Sequence, residues 1–145
     1  MNPLRRVLVA AFVVVIARPL AALAAWNKDA FGAKSAADAL KSLGIANAAP
    51  SADLHIDAPE IAENGAVVPI EVSSAVPGTR ALIVVIEKNP FPLAARFDFQ
   101  EGALPFVKLN VKMQETSDIR VLAEAAGRHY VATREVKVTI GGCGG

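Results

Sequence analysis

Glu135-Val136-Lys137-Val138-Thr139-Ile140-Gly141-Gly142-Cys143-Gly144-Gly145 closes the sequence. In its first half Val136, Val138 and Ile140 alternate with Lys137 and Thr139, the period-two pattern of a strand with one buried face. Its second half sets four glycines around the only cysteine. Glycine opens backbone conformations closed to other residues. A segment of this kind has almost no apolar surface to set against the entropy of ordering it. The stretch therefore reads as a strand running out into a mobile arm. The Cys143 thiol lies three residues past Ile140, within reach of about 10 Å beyond the fold.

The same period recurs upstream. Leu54 and Ile56 alternate with His55 and Asp57; Val68, Ile70 and Val72 with Pro69 and Glu71. Leu82, Val84 and Ile86 share one face, as do Phe97 and Phe99, and Val107, Leu109 and Val111. Ile119, Val121 and Ala123 follow, and the last run spans 129–140. Between the runs stand Glu63-Asn64-Gly65, Pro77-Gly78-Thr79, Asn89-Pro90-Phe91-Pro92, Glu101-Gly102 and Gly127. Seven short strands closed by turn chemistry predict an all-β fold, an antiparallel sandwich of immunoglobulin-like type. Pro69 inside its run argues for an edge strand or a bulge.

Ahead of the strands the pattern is helical. Ser35 precedes Ala36-Ala37-Asp38 as a capping start. Ala36, Leu40 and Leu43 follow at helical spacing, and Gly44 supplies a stop. This predicts one short amphipathic helix, with 46–51 as a linker. Earlier still, Arg5 and Arg6 precede the apolar run 7–17, and Ala22-Leu23-Ala24 offers a small-x-small cleavage site. That is the form of an export signal cut near Ala24/Ala25. The run is too short to span a bilayer, so no membrane attachment is expected of the mature form. The paired arginines allow the twin-arginine route. The expected organisation is a signal over 1–24, a helix and linker over 25–50, a β-sandwich over 51–140 and an arm over 141–145.

The chain has 15 basic and 14 acidic residues. Without the signal's three arginines the net charge becomes −2, which offers nucleic acid no basic surface. In an oxidising compartment one cysteine cannot close an internal disulfide, so it points to intermolecular pairing or a working thiol. His55 and His129 lack clustered carboxylates, and solvated strand positions suit them better than a metal site. A nucleophilic enzyme needs a base held beside its thiol, and a glycine arm cannot hold Cys143 in such geometry. The residues thus argue against catalysis by this chain, and no cofactor is expected on it. Asn89-Pro90-Phe91-Pro92 reads as a proline-stiffened loop with an exposed aromatic, more simply structural than a partner contact.

The ending Val136 to Gly145 resembles that of the SoxY family, sulfur-carrier subunits of the bacterial sulfur-oxidising (Sox) system, with the G-G-C-G-G motif matched at all five positions. Pro59-Glu60-Ile61-Ala62-Glu63-Asn64-Gly65, Glu87-Lys88-Asn89-Pro90 and Glu115-Thr116-Ser117 look similar too. The resemblance implies a periplasmic carrier, with Cys143 as the site of covalent sulfur attachment and Gly141, Gly142, Gly144 and Gly145 as its flexible arm. It implies a heterodimer with a SoxZ-type subunit. It also implies transient visits to a haem-containing SoxAX-type enzyme, a SoxB-type hydrolase and a SoxCD-type dehydrogenase. Two other readings stay open. Gly144-Gly145 would suit a ubiquitin-like thiocarboxylate carrier, against which the export signal argues, and Cys143 could join two copies in a structural dimer.

Overall fold

The computed structural model describes residues 26–139. The expected export signal, Ile140 and the Gly141–Gly145 arm lie outside these residues.

Each expected strand forms. They are β2 (Leu54–Asp57), β4 (Val68–Ser74), β5 (Thr79–Ile86), β6 (Leu93–Asp98), β7 (Phe106–Val111), β8 (Ser117–Ala125) and β9 (Arg128–Val138). Two further strands of two residues each, β1 (Ala49–Pro50) and β3 (Ile61–Ala62), pair in parallel with β9. One sheet runs β1-β9-β8-β5-β6, with β3 beside the far end of β9; the other runs β2-β4-β7. The two sheets form an immunoglobulin-like sandwich. Val68, Ile70 and Val72 from the smaller sheet close over Leu82, Val84, Ile86, Ile119, Val121 and Val136 from the larger.

Three expectations need correction. The 46–51 stretch is not merely a linker, because Ala49 and Pro50 pair with Tyr130 and Val131. Two helices precede the sheets where one was expected: α1 (Lys28–Gly32) and α2 (Ala36–Ser42). Asn27 caps α1 by accepting from Ala30 N at 2.9 Å, and its amide donates to Ser42 O at 2.8 Å, tying the helices together. Finally, Pro69 sits in a central strand. β2 stops pairing at Asp57 opposite Glu71, so at Pro69 only β7 runs alongside. The strand is central, yet it has a local edge there, and that edge tolerates a missing N–H.

The Ser35 start is as expected. Its Oγ accepts from Asp38 N at 3.1 Å and donates to Asp38 Oδ2 at 2.7 Å. At the other end Ile45 N reaches Leu40 O and Gly44 N reaches Lys41 O, each at 2.9 Å. These two bonds form a Schellman stop. The helices lie on the outer face of the larger sheet, where Ala30, Ala36, Ala39 and Ile45 cover Ile83, Val85, Leu93 and Leu122. β5 is therefore buried on both faces, and every residue from Ala81 to Ile86 is fully enclosed. Its unbroken apolar run has this cause, as in any strand covered on both sides. The β8–β9 hairpin turns through Ala126 and Gly127, both at positive φ (50° and 72°). Such a pair matches the twist of the flanking strands.

Among the described residues no helix is long and apolar enough to cross a membrane. A cleft of about 1040 Å³ opens between the 74–80 and 96–105 segments, at the pole away from the end of β9. There Arg96 lies 2.7 Å from Asp98 and 3.1 Å from Glu124. The hydrogen bond to Asp98 above all, and then the bond to Glu124, holds its pKa above the ordinary guanidinium value despite partial burial.

Candidate functional site

Cys143 and its flanking glycines lie outside the described residues. What the structure describes is the place they leave from. β9 pairs with β8 as far as Val136 opposite Ser117. Beyond that point a side chain replaces the neighbouring backbone. Thr116 Oγ1 accepts from Val138 N at 3.0 Å and donates to Val138 O at 3.5 Å. On the other side β3 takes hold. Lys137 N donates to Glu60 O at 3.0 Å, and Thr139 N to Ala62 O at 3.1 Å. Thr139 Oγ1 adds a contact to Glu63 O at 3.5 Å. The strand is thus held from both sides as far as Val138, and from the β3 side at Thr139, four residues before Cys143 in the sequence.

The clasp depends on the Glu63-Asn64-Gly65 turn. Asn64 Oδ1 accepts from Ala66 N at 3.0 Å, and Val67 N donates to Asn64 O at 3.3 Å. Gly65 O then accepts from Met113 N at 2.7 Å. A Cβ at Gly65 would strike Met113 O and lie 2.8 Å from Val138 Cγ1. Only glycine lets this turn lie so close beneath the end of β9.

A third segment braces the same pole. Asn89, in the turn between β5 and β6, donates to Lys112 O at 2.6 Å and accepts from Gln114 N at 3.1 Å. Next to it, Lys88 N donates to the buried Ser117 hydroxyl at 3.0 Å. Glu87 meets Arg120 at 2.8 Å. Phe91 is half exposed, as expected, with Lys34 Nζ 3.5 Å from its ring centre. The stretches 59–65, 87–90 and 115–117, which sequence reading could only call similar to a family, therefore converge around the exit of β9. Their joint role was missed because it depends on contacts between segments far apart in the chain. The local signals were Asn-Gly at 64–65 and Asn-Pro at 89–90.

His129 pairs with Glu124 near the opposite end of β9. Val138 lies nine positions further along, about 30 Å in a strand. His55 is exposed on β2. Among the described residues no three His, Cys, Asp or Glu side chains are grouped to hold a metal.

The model of the SoxY family, described as sulfur oxidation protein SoxY, matches residues 40–143, a span that takes in the whole clasp and Cys143. No curated protein sequence matches the chain. Among solved structures, the sulfur carrier protein SoxY from Chlorobium limicola f thiosulfatophilum is 38% identical. Its TM-score is 0.66, over 72% of this chain and 96% of that one. A superoxide reductase (neelaredoxin) from Ignicoccus hospitalis is 19% identical, with TM-score 0.53 over 67% of this chain and 86% of its own. That second likeness is one of fold alone. With the family match running through the clasp to the cysteine, and a sandwich in common with a family member, this chain belongs to the SoxY family of sulfur oxidation proteins.

Proposed function

We propose that this protein is a periplasmic sulfur carrier that holds oxidation intermediates on Cys143 and presents them to successive enzymes. The observation supporting this most is the clasp on β9, which holds the strand as far as Thr139, the last described residue. A stiff base followed by glycines suits a group that several active sites must reach. Thiosulfate joins the thiol as Cys–S–S–SO₃⁻, with one proton and two electrons released. A haem-containing SoxAX-type partner takes the electrons. Water then cleaves the terminal S–S bond in a SoxB-type hydrolase, releasing hydrogen sulfate and leaving a persulfide. A SoxCD-type dehydrogenase oxidises the remaining sulfane sulfur. The carrier works as a heterodimer with a SoxZ-type subunit and supplies no catalytic group. Docking orders a glycine segment, which keeps each encounter weak and lets the carrier leave.

The test is the intact mass of protein recovered from thiosulfate-grown cells, with peptide mapping. Sulfur or thiosulfonate increments on Cys143 are expected. An adduct on the Gly145 carboxylate would instead indicate thiocarboxylate chemistry. The Cys143→Ser protein should keep its fold and melting temperature while thiosulfate-dependent turnover of the reconstituted system falls to background. Retained turnover refutes the carrier.

A further inference from the structure

The Glu63-Asn64-Gly65 turn joins a chemically labile pair to a contact with no slack. Of the chain's six asparagines only Asn64 precedes a glycine. Asparagine is thermolabile, because its side-chain amide can be attacked by the nitrogen of the next residue. A glycine there, lacking Cβ, obstructs that approach least. Asn89, the other asparagine bracing this pole, precedes Pro90, whose nitrogen carries no hydrogen to give up. Asn64 is exposed, while Gly65 is buried. Gly65 O accepts from Met113 N at 2.7 Å, and Asn64 Oδ1 is turned forward onto Ala66 N at 3.0 Å. Attack requires the Asn64–Gly65 peptide plane to rotate, which breaks the Met113 bond. β3 supplies only two ladder pairs to the end of β9, so this corner can open without the sandwich.

We propose that Asn64 is a deamidation site, reached when the clasp opens, and that the product keeps the clasp open. The Gly65 nitrogen bonds to Asn64 Cγ as the Cγ–Nδ2 bond breaks, and ammonia leaves with the proton from the Gly65 nitrogen. Water then opens the cyclic imide, and no electrons are transferred. Opening at the main-chain carbonyl leaves isoaspartate, whose backbone runs through the former side chain and is one carbon longer. Opening at the other carbonyl leaves aspartate. A methyl group at Gly65 already has no room against Met113 O and Val138, so a turn lengthened by one carbon cannot regain the fit. Lys137 and Thr139 then lose the carbonyls of Glu60 and Ala62 that hold them. Loss of ammonia makes the step one-way. The chemistry is the same whatever Cys143 carries.

The mature chain, as purified from its own cells, is incubated in warm, mildly alkaline buffer beside a free peptide spanning 59–70. Isoaspartate is read by enzymatic methylation and located by peptide mapping. It should accumulate at position 64 in both, more slowly in the folded chain, and be absent from Asn64→Ser. Asn89→Ala, which frees the loop on either side of Met113, should speed conversion about fivefold, the effect of one net hydrogen bond. The modified fraction, separated by ion exchange, should show fast hydrogen exchange at Lys137 and Thr139 with Val121 still protected. No isoaspartate at position 64 in the chain while the peptide converts fully would overturn the site. Equal rates in chain and peptide, or no effect of Asn89→Ala, would overturn gating by the clasp. Unchanged exchange at Lys137 and Thr139 in the modified fraction, or loss of protection at Val121 as well, would overturn the selective release of β9.

Discussion

At position 65 a single methyl group would strike two neighbours, the Met113 carbonyl and the Val138 side chain. Relief requires the 63–67 turn or the end of β9 to move, and overpacking of this kind costs about 1–3 kcal/mol. For Gly65→Ala we expect a lower melting temperature by that measure. Val138 and Thr139 amides should exchange with solvent much faster, while central amides such as Val121 follow only the global change. Equal protection at Val138 and Thr139 would mean that the turn does not hold the strand. Asn89 works at the same scale: one side chain serves two backbone groups of the 112–114 loop. Neither role was readable in advance. Asn-Gly and Asn-Pro announce turns, but what a turn packs against depends on segments dozens of residues away.

The elements were legible in proportion to their length. Seven strands carry enough alternation to declare themselves, and Ser35 and Gly44 mark α2 from both ends. β1 and β3 have two residues each, too few for a period to show. They are strands because the edge of β9 offers unpaired backbone groups at Tyr130–Val131 and Lys137–Val138. β5 carried a fuller message than its alternation. Ile83 and Val85 between Leu82, Val84 and Ile86 already indicate cover on the second face. The β8–β9 hairpin contains one local compromise. Ala126 adopts φ 50° where a residue without Cβ is unstrained. Ala126→Gly should raise stability by about 1 kcal/mol, read as a higher denaturant midpoint at unchanged slope. A lower midpoint would show that the loss of unfolded-state restraint outweighs the relief.

Across the whole molecule, three layers stack: a small sheet with a polar outer face, a larger sheet, and the helix pair. Each fully buried aliphatic side chain under the helices contributes about 1.5–3 kcal/mol. Removing residues 26–44 should uncover Ile83, Val85 and Leu122, lower the melting temperature and drive self-association in sedimentation. A monomer with unchanged melting would make the helices dispensable. The poles differ in kind: one holds the open cleft with the Arg96–Asp98–Glu124 cluster, the other the clasp. The sequence by itself determined the sandwich, through period-two burial, and singled out Cys143 as the residue proposed to carry sulfur, through its glycine setting. Both are local properties, written within a few neighbouring residues. How the end of β9 is held, and which side chains surround it, were decided only by tertiary structure. Those depend on β3, the Asn64-Gly65 turn and Asn89 meeting β8 and β9 across long separations in the chain, through backbone bonds and one close approach that no local pattern encodes.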